Sequence, residues 1–438
     1  MNLKESIESG QLHKNRSRML LRFWSSTEYT GFFSALMREL SEAGLPAKQR
    51  FQISEASYRS AKSTPARLIL RFRQYIAYPI QLCASLALGR IREVRIFKNV
   101  KVRKSNGEGV KVRIGDDLTS SDLRIFRPSN SNNDFCVVST NTFFAPLIAT
   151  YLHPNVVHLV YDLFPEAMIH SGKWMEGTFK VRIVRWITKQ TLKRAKTNVF
   201  LGQRLKDHVE SIHGQVENAA IIPIGADQAL FSESPIERRN LNSQSSPTIL
   251  YCGNFGNMHD SVTLFDYWKR SDEHGGSLQW VFHCSGPKLG ELESVLSELP
   301  VSVKQQIHLG GGLDQAAWVA TMESAAVALV TMVPGSETVV MPSKTYSAMM
   351  AGQAILVIAP EDSDLVDLIK TADCGWFVKP GDIDGLARVV EAIYTDPEGL
   401  LEKRQNAYLY AQAHLGQDTL VNDWMTTLRY TATECFQP

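Results

Sequence analysis

The sequence predicts an α/β protein built from two units, each a parallel sheet covered by helices, facing one another across a cleft. Three observations lead there. From Asp134 onward, short runs of Val, Ile and Leu alternate with segments of helical spacing, as in a parallel sheet buried on both faces. The polar stretch 232–248 (SESPIERRNLNSQSSPT) interrupts that pattern, which restarts directly after it. The length of 438 residues suits two domains.

The elements follow in order. Residues 18–24 (RMLLRFW) read as a strand, and 32–43 as a helix stopped by Gly44. Residues 65–88 read as one long helix or a pair, with Arg67, Arg71 and Arg73 among apolar neighbours. Strand-like runs within 90–127 flank Asn106-Gly107, a hairpin signal. DFCVVST is a strand, 143–152 a helix, VVHLVY a strand, and 179–195 a helix that is basic on one side. A strand at 198–201, a helix at 204–212 and a strand at 219–223 complete the first unit. In the second, TILYCG, LQWVFHCSG, IHLGGG, AAVALVTM, AILVIAP and CGWFVKP are strands. Its helices cover 344–351, a segment beginning near Asp364, and 385–393, the last capped by Asp382. Residues 405–436 are helical and lie beyond that unit.

Composition narrows the function. With 44% apolar and 21% charged residues the chain is an ordinary globular protein, not a disordered, collagenous or coiled-coil one. No run of 18 apolar residues predicts a membrane-spanning helix, and residues 1–20 lack the apolar core of a secretory signal. Six cysteines without a C-x-x-C pair predict free thiols in a reducing, cytoplasmic compartment, with neither disulfides nor zinc. Charge is split unevenly. Residues 1–226 hold 34 Lys and Arg against 18 Asp and Glu, a net +16, whereas residues 227–438 hold 13 against 27, a net −14. A basic half calls for a polyanion, a phosphorylated substrate or an anionic membrane, or it faces the acidic half across the cleft. No nucleic-acid module accompanies it.

Two segments carry the chemistry. In YCGNFGN, Gly253 and Gly256 follow a strand and would let backbone amides approach a phosphate, although a plain strand-to-loop turn gives the same pattern. In ETVVMPSKTYSAMMAG, Pro342 can pre-set a helix entry, Ser343 can cap it, and Lys344 falls in the first turn. A cation is unfavourable there unless an anion binds. The alternative is a surface lysine in water.

The run MPSKTYSAMMAGQAILV, followed by CGWFVKPGDIDGLARVVEAI, resembles the donor-binding half of glycosyltransferase family 4. YCGNFG resembles that family's opening loop of the second domain. VVHLVYDLFPEAM resembles the Asp-x-x-Pro-Glu segment of the subgroup that builds O-antigen and exopolysaccharide on lipid carriers. The resemblance spans about 134–396 and implies a GT-B fold with two Rossmann-like domains. Residues 1–226 would be the acceptor side, with an unexplained insertion at 91–133, and 246–404 the nucleotide-sugar side. Helices in 405–438 would cross back onto the first domain. It further implies a retaining transfer without metal or other cofactor, from a UDP- or GDP-sugar to a lipid-diphosphate-linked saccharide or a polysaccharide. The setting would be bacterial cell-surface polysaccharide biosynthesis at the inner face of the plasma membrane.

The resemblance assigns candidate roles. Lys344, Ser343, Pro342, Gly253, Asn254 and Gly256 would hold the donor diphosphate, with Gly31 approaching from the first domain. Lys288 and His259 follow second-domain strands and could approach the diphosphate, with a surface-loop position the alternative for His259, whereas His283 reads as a satisfied core histidine. The family's two glutamates fall on Val339 and Ser347. Ser347 could bond a ribose hydroxyl, and Glu337, two residues off register, could meet the sugar. Tyr161 stands where the family often has His, so Asp162 is the acceptor-side candidate, as base or orienter, ahead of Glu166. An N-cap or turn role is the alternative for Asp162. The basic helix 179–195, with Trp186, offers a docking face for an anionic membrane. Two other functions share the pattern: a nucleotide-sugar 2-epimerase, active without acceptor, and a non-catalytic scaffold.

Overall fold

The computed structural model describes residues 20–25, 32–51, 53–54, 64–87, 134–140, 142–232, 236, 246–270, 278–339 and 341–433. Gly31, Cys435, the run 91–133 and most of the stretch 232–248 lie outside them.

The first unit contains β1 (Leu21–Trp24), α1 (Phe32–Glu42), β2 (Ala47–Arg50), α2 (Thr64–Phe72), α3 (Tyr78–Ala87), β3 (Phe135–Ser139), α4 (Ala145–Leu152), β4 (Val156–Val160), α5 (Glu166–His170), α6 (Phe179–Arg194), β5 (Thr197–Phe200), α7 (Gln203–His213) and β6 (Ala219–Ile221). One π turn, Arg73–Ala77, joins α2 to α3. The strands pair in the order β2-β1-β3-β4-β5-β6, all in parallel. β3, β4 and β5 are buried along their whole length, which explains why they read as unbroken apolar runs.

The second unit contains β7 (Thr248–Asn254), α8 (Val262–Arg270), β8 (Gln279–Ser285), α9 (Leu289–Glu298), α10 (Val301–Lys304), β9 (Ile307–Gly310), α11 (Gln315–Ser324), β10 (Val327–Thr331), α12 (Lys344–Met350), β11 (Ala354–Ile358), α13 (Asp364–Ala372), β12 (Gly375–Val378) and α14 (Ile383–Thr395). Its parallel sheet runs β12-β11-β10-β7-β8-β9. Chain order reverses between β7 and β10, so the loops after those strands flank a crevice at their carboxyl ends. Asp382 caps α14 as expected, its Oδ1 accepting the Gly385 N–H at 2.8 Å. Helices α8, α9 and α11 were not anticipated.

Two helices end the chain, α15 (Pro397–His414) and α16 (Gln417–Thr433). α15 stays on the second unit. There the Arg404 guanidinium is buried and its Nε donates to the Gly352 carbonyl, just past α12, at 2.8 Å. α16 returns to the first. Its Leu420, Val421, Trp424 and Leu428 share one apolar cluster with Leu21, Phe23, Leu36 and Leu40. Between the helices, the Ala226 N–H bonds the Leu415 carbonyl, and Gln417 donates to Asp227. The two halves therefore join through a short double crossing. Trp424 is 3% exposed, with its ring 6.0 Å from that of Phe23. Trp424→Ala should lower stability by about 3–5 kcal/mol through the cavity it leaves. Thermal unfolding checks this, and an unchanged midpoint would show that α16 contributes little to the first unit.

Candidate active site

The carboxyl ends of the two sheets meet. His170, at the end of α5, lies against Gly335 in the loop after β10. Val339 from that loop is fully buried in a cluster with Val160, Leu163, Leu201 and Leu205 of the first unit. One of the positions where the family carries glutamate is thus an apolar contact between the halves.

On the second half, β7 delivers Gly253 and Asn254 to the crevice. Gly253 has φ +133°, a conformation that glycine adopts freely and other residues do not. A Cβ there would also lie 4.0 Å from Lys344 Cε and Nζ. The Lys344 ammonium sits 3.8 Å from the centroid of the Tyr251 ring beneath it, a cation–π contact. Nζ is closed off from solvent and has no hydrogen-bond partner. Burial pulls its pKa from 10.5 down to about 7, against a smaller upward pull from Cys252 and Cys284. A buried ammonium needs a counter-charge, and none is in place among the described residues.

The rest of this half supports that lysine. Asn254 lies over Gly286 and reaches toward Gly256. Lys288 does not point free into the crevice. Its Nζ donates to the His259 carbonyl at 2.6 Å and to Ser261 Oγ at 3.0 Å, bracing the loop after β7. His259 is not the surface residue expected. It is half-buried, packs on Tyr251 and Phe255, and donates from Nδ1 to the Thr331 carbonyl at 2.8 Å. Burial, aided by the Lys344 charge, lowers its pKa to about 3, so the ring is neutral. His283 is satisfied as expected, by the Gly311 carbonyl at 3.0 Å, but sits at a half-buried edge rather than in the core.

Ser343 does not cap α12. Its backbone is already helical and its side chain makes no cap bond; the first turn is closed instead by the Thr345 N–H on the Pro342 carbonyl. α12 is only seven residues long, so the Lys344 ammonium, not a helix dipole, dominates the local charge. Pro342 is buried, Ser343 is exposed, and Ser347 is half-buried one turn beyond Lys344. Glu337 stands apart from this group. Its Oε2 is enclosed without a partner and lies within electrostatic reach of His208 on α7.

On the first half, Asp162 follows β4. The backbone N–H groups of Tyr161 and Asp162 both donate to Thr140 Oγ1, at 3.2 and 3.3 Å, which fixes the turn. Asp162 lines a small cavity of about 10 Å³ with His158, Thr140, Phe143 and Thr188, room for roughly one water. Burial raises its carboxyl pKa. Glu166 is an anchor: buried, it accepts from Arg185 Nε at 2.8 Å, and Arg185 also grips Glu176. Gly31 is outside the described residues. Among those residues, no group of three or more His, Cys, Asp or Glu could hold a metal ion, and Cys83, Cys136, Cys252, Cys284 and Cys374 are free thiols.

The structure thus brings Gly253, Asn254, Gly256, Lys288 and Lys344 together, sets Asp162 and Glu166 on the opposite half, and puts Glu337 at the seam. Sequence reasoning missed His208, His170 and the inward turn of Val339. Only the apolar character of Val339 hinted at any of these.

No family model matches the chain. A curated relative, "Probable glycosyltransferase WbjE" of Pseudomonas aeruginosa, is 22% identical over 259 residues, covering 57% of this chain and 62% of the relative. Among solved structures, Anabaena HepE in complex with UDP superposes with a TM-score of 0.58 at 12% identity, over 94% of this chain and 100% of that one. WaaG, a glycosyltransferase involved in lipopolysaccharide biosynthesis, gives 0.57 at 13% identity, over 93% and 98%. The chain has the GT-B fold. It comprises two six-stranded parallel sheets, with α16 returning to the first.

Lys344 makes a stability prediction with a definite sign. Its folded pKa of about 7 is below its ordinary 10.5, so the folded state bears the cost of a buried charge fully below about pH 7 and sheds it as pH rises toward 10.5. The ligand-free wild type should therefore gain stability between pH 7 and 10 relative to Lys344→Met. The variant should be the more stable of the two near pH 7. Denaturant midpoints at several pH values check this, and a variant that loses stability near pH 7 would contradict it.

Proposed function

We propose that this chain is a retaining glycosyltransferase that moves a sugar from a UDP- or GDP-sugar to a lipid-diphosphate-linked saccharide or a polysaccharide, without a metal. One observation carries the reading: an enclosed, unpartnered ammonium, Lys344, beside the Gly253 loop at the switch point of the second sheet. The similarity to WbjE, and the UDP and UDP-glucose held by the similarly folded HepE, support a nucleotide-sugar there.

The chemistry follows from charge. The bond from the sugar's anomeric carbon to the diphosphate breaks, and the leaving nucleoside diphosphate keeps the electron pair. An acceptor hydroxyl forms the new bond on the same face of the sugar. The ammonium, itself closed off from solvent, stabilises the charge that develops on the departing phosphate. Asp162, on the opposite half, takes the acceptor hydroxyl's proton, or orients that hydroxyl while the proton passes to the leaving phosphate. In this reading Ser347, one turn beyond Lys344, bonds a ribose hydroxyl, and Glu337, at the seam, meets the sugar from outside the Lys344 group.

The acceptor class rests on the outer face of the first unit. There α3 packs on α4, and α4 on α6. Ile69, Phe72, Ile76 and Ile80 form an exposed stripe at helical spacing, and Phe179, Ile183 and Trp186 are exposed on α6. Arg67, Arg71, Lys180, Arg182, Lys189 and Lys193 are exposed among them. Apolar residues interleaved with cations suit the surface of an anionic bilayer, where lipid-linked acceptors lie. No helix among the described residues is long and apolar enough to cross a membrane.

Two experiments test the reading. In a thermal-shift panel of nucleotides and nucleotide-sugars, one diphosphate nucleotide at about 100 times its Kd should raise stability by roughly 2.7 kcal/mol, with or without divalent metal. Lys344→Ala should remove that shift and cut acceptor-dependent turnover by about 10²-fold or more. No shift with any nucleotide would favour a scaffold, and turnover without acceptor would favour an epimerase. Separately, the chain should sediment with vesicles containing anionic lipid, and Trp186→Glu should release it. Equal binding to neutral vesicles, or none to either, would remove the membrane from the account.

A further inference from the structure

The amino ends of α7 and α13 meet across the seam between the halves. α7 has no cap of its own, since Gly202 precedes it. Its free amides are met from the other half: Asp364 Oδ1 accepts the Arg204 N–H at 3.1 Å, and Oδ2 accepts the Leu205 N–H at 3.4 Å. A Cβ at position 202 would collide with the Asp364 carboxylate. The Gly202 backbone is extended (φ −159°), so space rather than conformation calls for glycine. α13 is capped independently, Ser363 Oγ accepting the Val366 N–H, which leaves the Asp364 carboxylate to serve α7. The Arg204 side chain returns the contact. Its guanidinium pairs with both oxygens of Asp367, at 2.8 and 3.2 Å, and approaches Asp362 at 3.6 Å.

We propose that Asp364 and Arg204 form a latch that sets the separation of the two halves, and so are positioning residues for a reaction that needs groups from both. The last step rests on the proposed glycosyl transfer. The latch itself does not. Two features argue for a reversible latch rather than a permanent weld. Asp367 and Asp362 are exposed, so their pairing with Arg204 is weak and screened by salt. The capping bonds, by contrast, are charge-assisted and occur at helix amides that have no other partner. The contact is thus specific in geometry yet can open. It also lies where it bears on catalysis: α7 follows β5, next to the strand that precedes Asp162, and α13 follows β11, next to the strand that leads to Lys344.

The test compares the full chain with Asp364→Ala, Asp364→Asn, Arg204→Glu and the charge swap Arg204→Glu with Asp367→Arg. Solution X-ray scattering at low and high salt reads the separation of the halves. UDP calorimetry reads the donor site alone, and acceptor-dependent turnover reads the two together. Asp364→Ala and Arg204→Glu should increase the radius of gyration and leave the UDP Kd nearly unchanged. They should lower kcat about tenfold or more, as misplacement of reacting groups does. The charge swap should restore both separation and rate, and high salt should mimic Arg204→Glu. A radius of gyration unchanged in Asp364→Ala would overturn the latch, as would a charge swap that fails to close the molecule. Should Asp364→Ala not fold, Asp364→Asn and the salt series decide the question in the same way. Expansion of the variants in a chain that binds neither UDP nor GDP and transfers no sugar would instead retain the latch and reject the glycosyltransferase reading.

Discussion

An ammonium held away from water without a counter-ion is a constraint that the surrounding structure has to satisfy. Around Lys344 it does so in layers. The Tyr251 ring lies beneath Nζ, Gly253 leaves room beside it, and the loop after β7 is fixed by Lys288 and by the neutral, hydrogen-bonded His259. Behind α12, the buried Arg404 holds the Gly352 carbonyl and so ties α12 to α15. Each of these contacts steadies the position of one charge. A site of this kind is organised before its ligand arrives, so little rearrangement opposes the binding of an anion.

The second organising feature is the seam between the sheets. It combines an apolar plug, Val339 in the first unit's core, with a polar margin of His208, Glu337, Asp364 and Arg204. The plug gives the halves a preferred register. The polar margin, partly open to water, keeps that register adjustable. The opposite net charges of the two halves favour the same approach over longer range, within the limits of salt screening. The chain crosses between the halves twice, close together, at Ala226 and Leu415.

Much of this was legible in the sequence, for physical reasons that differ by element. The central strands were plain because burial on both faces leaves only apolar residues to read, as in Val156–Val160 and Ala354–Ile358. Lys344 was legible because a cation in a first helical turn, after Pro342, asks for an anion. Helices such as Gln315–Ser324 were missed because their apolar residues (AAWVA) fall on successive positions and show no single stripe. The Ser343 cap failed because the Pro342 carbonyl already closes the first turn. His259 was misjudged because its burial depends on Thr331, seventy-two residues later. The latch was invisible for the same reason. Asp364 reads as an ordinary first-turn acid of its own helix, and only the folded chain shows it capping another one some 160 residues away.

The titration of Lys344 itself tests the account most directly. In protein carrying ¹³C at the lysine Cε, that resonance can be followed by NMR against pH, with Lys344→Met identifying it. The account predicts a midpoint near 7 in the free protein. Saturating UDP should move it well upward, since a bound diphosphate supplies the missing counter-charge. A midpoint near the ordinary lysine value in the free protein, unmoved by UDP, would mean that the ammonium lies in water and that the diphosphate, if it binds at all, binds elsewhere.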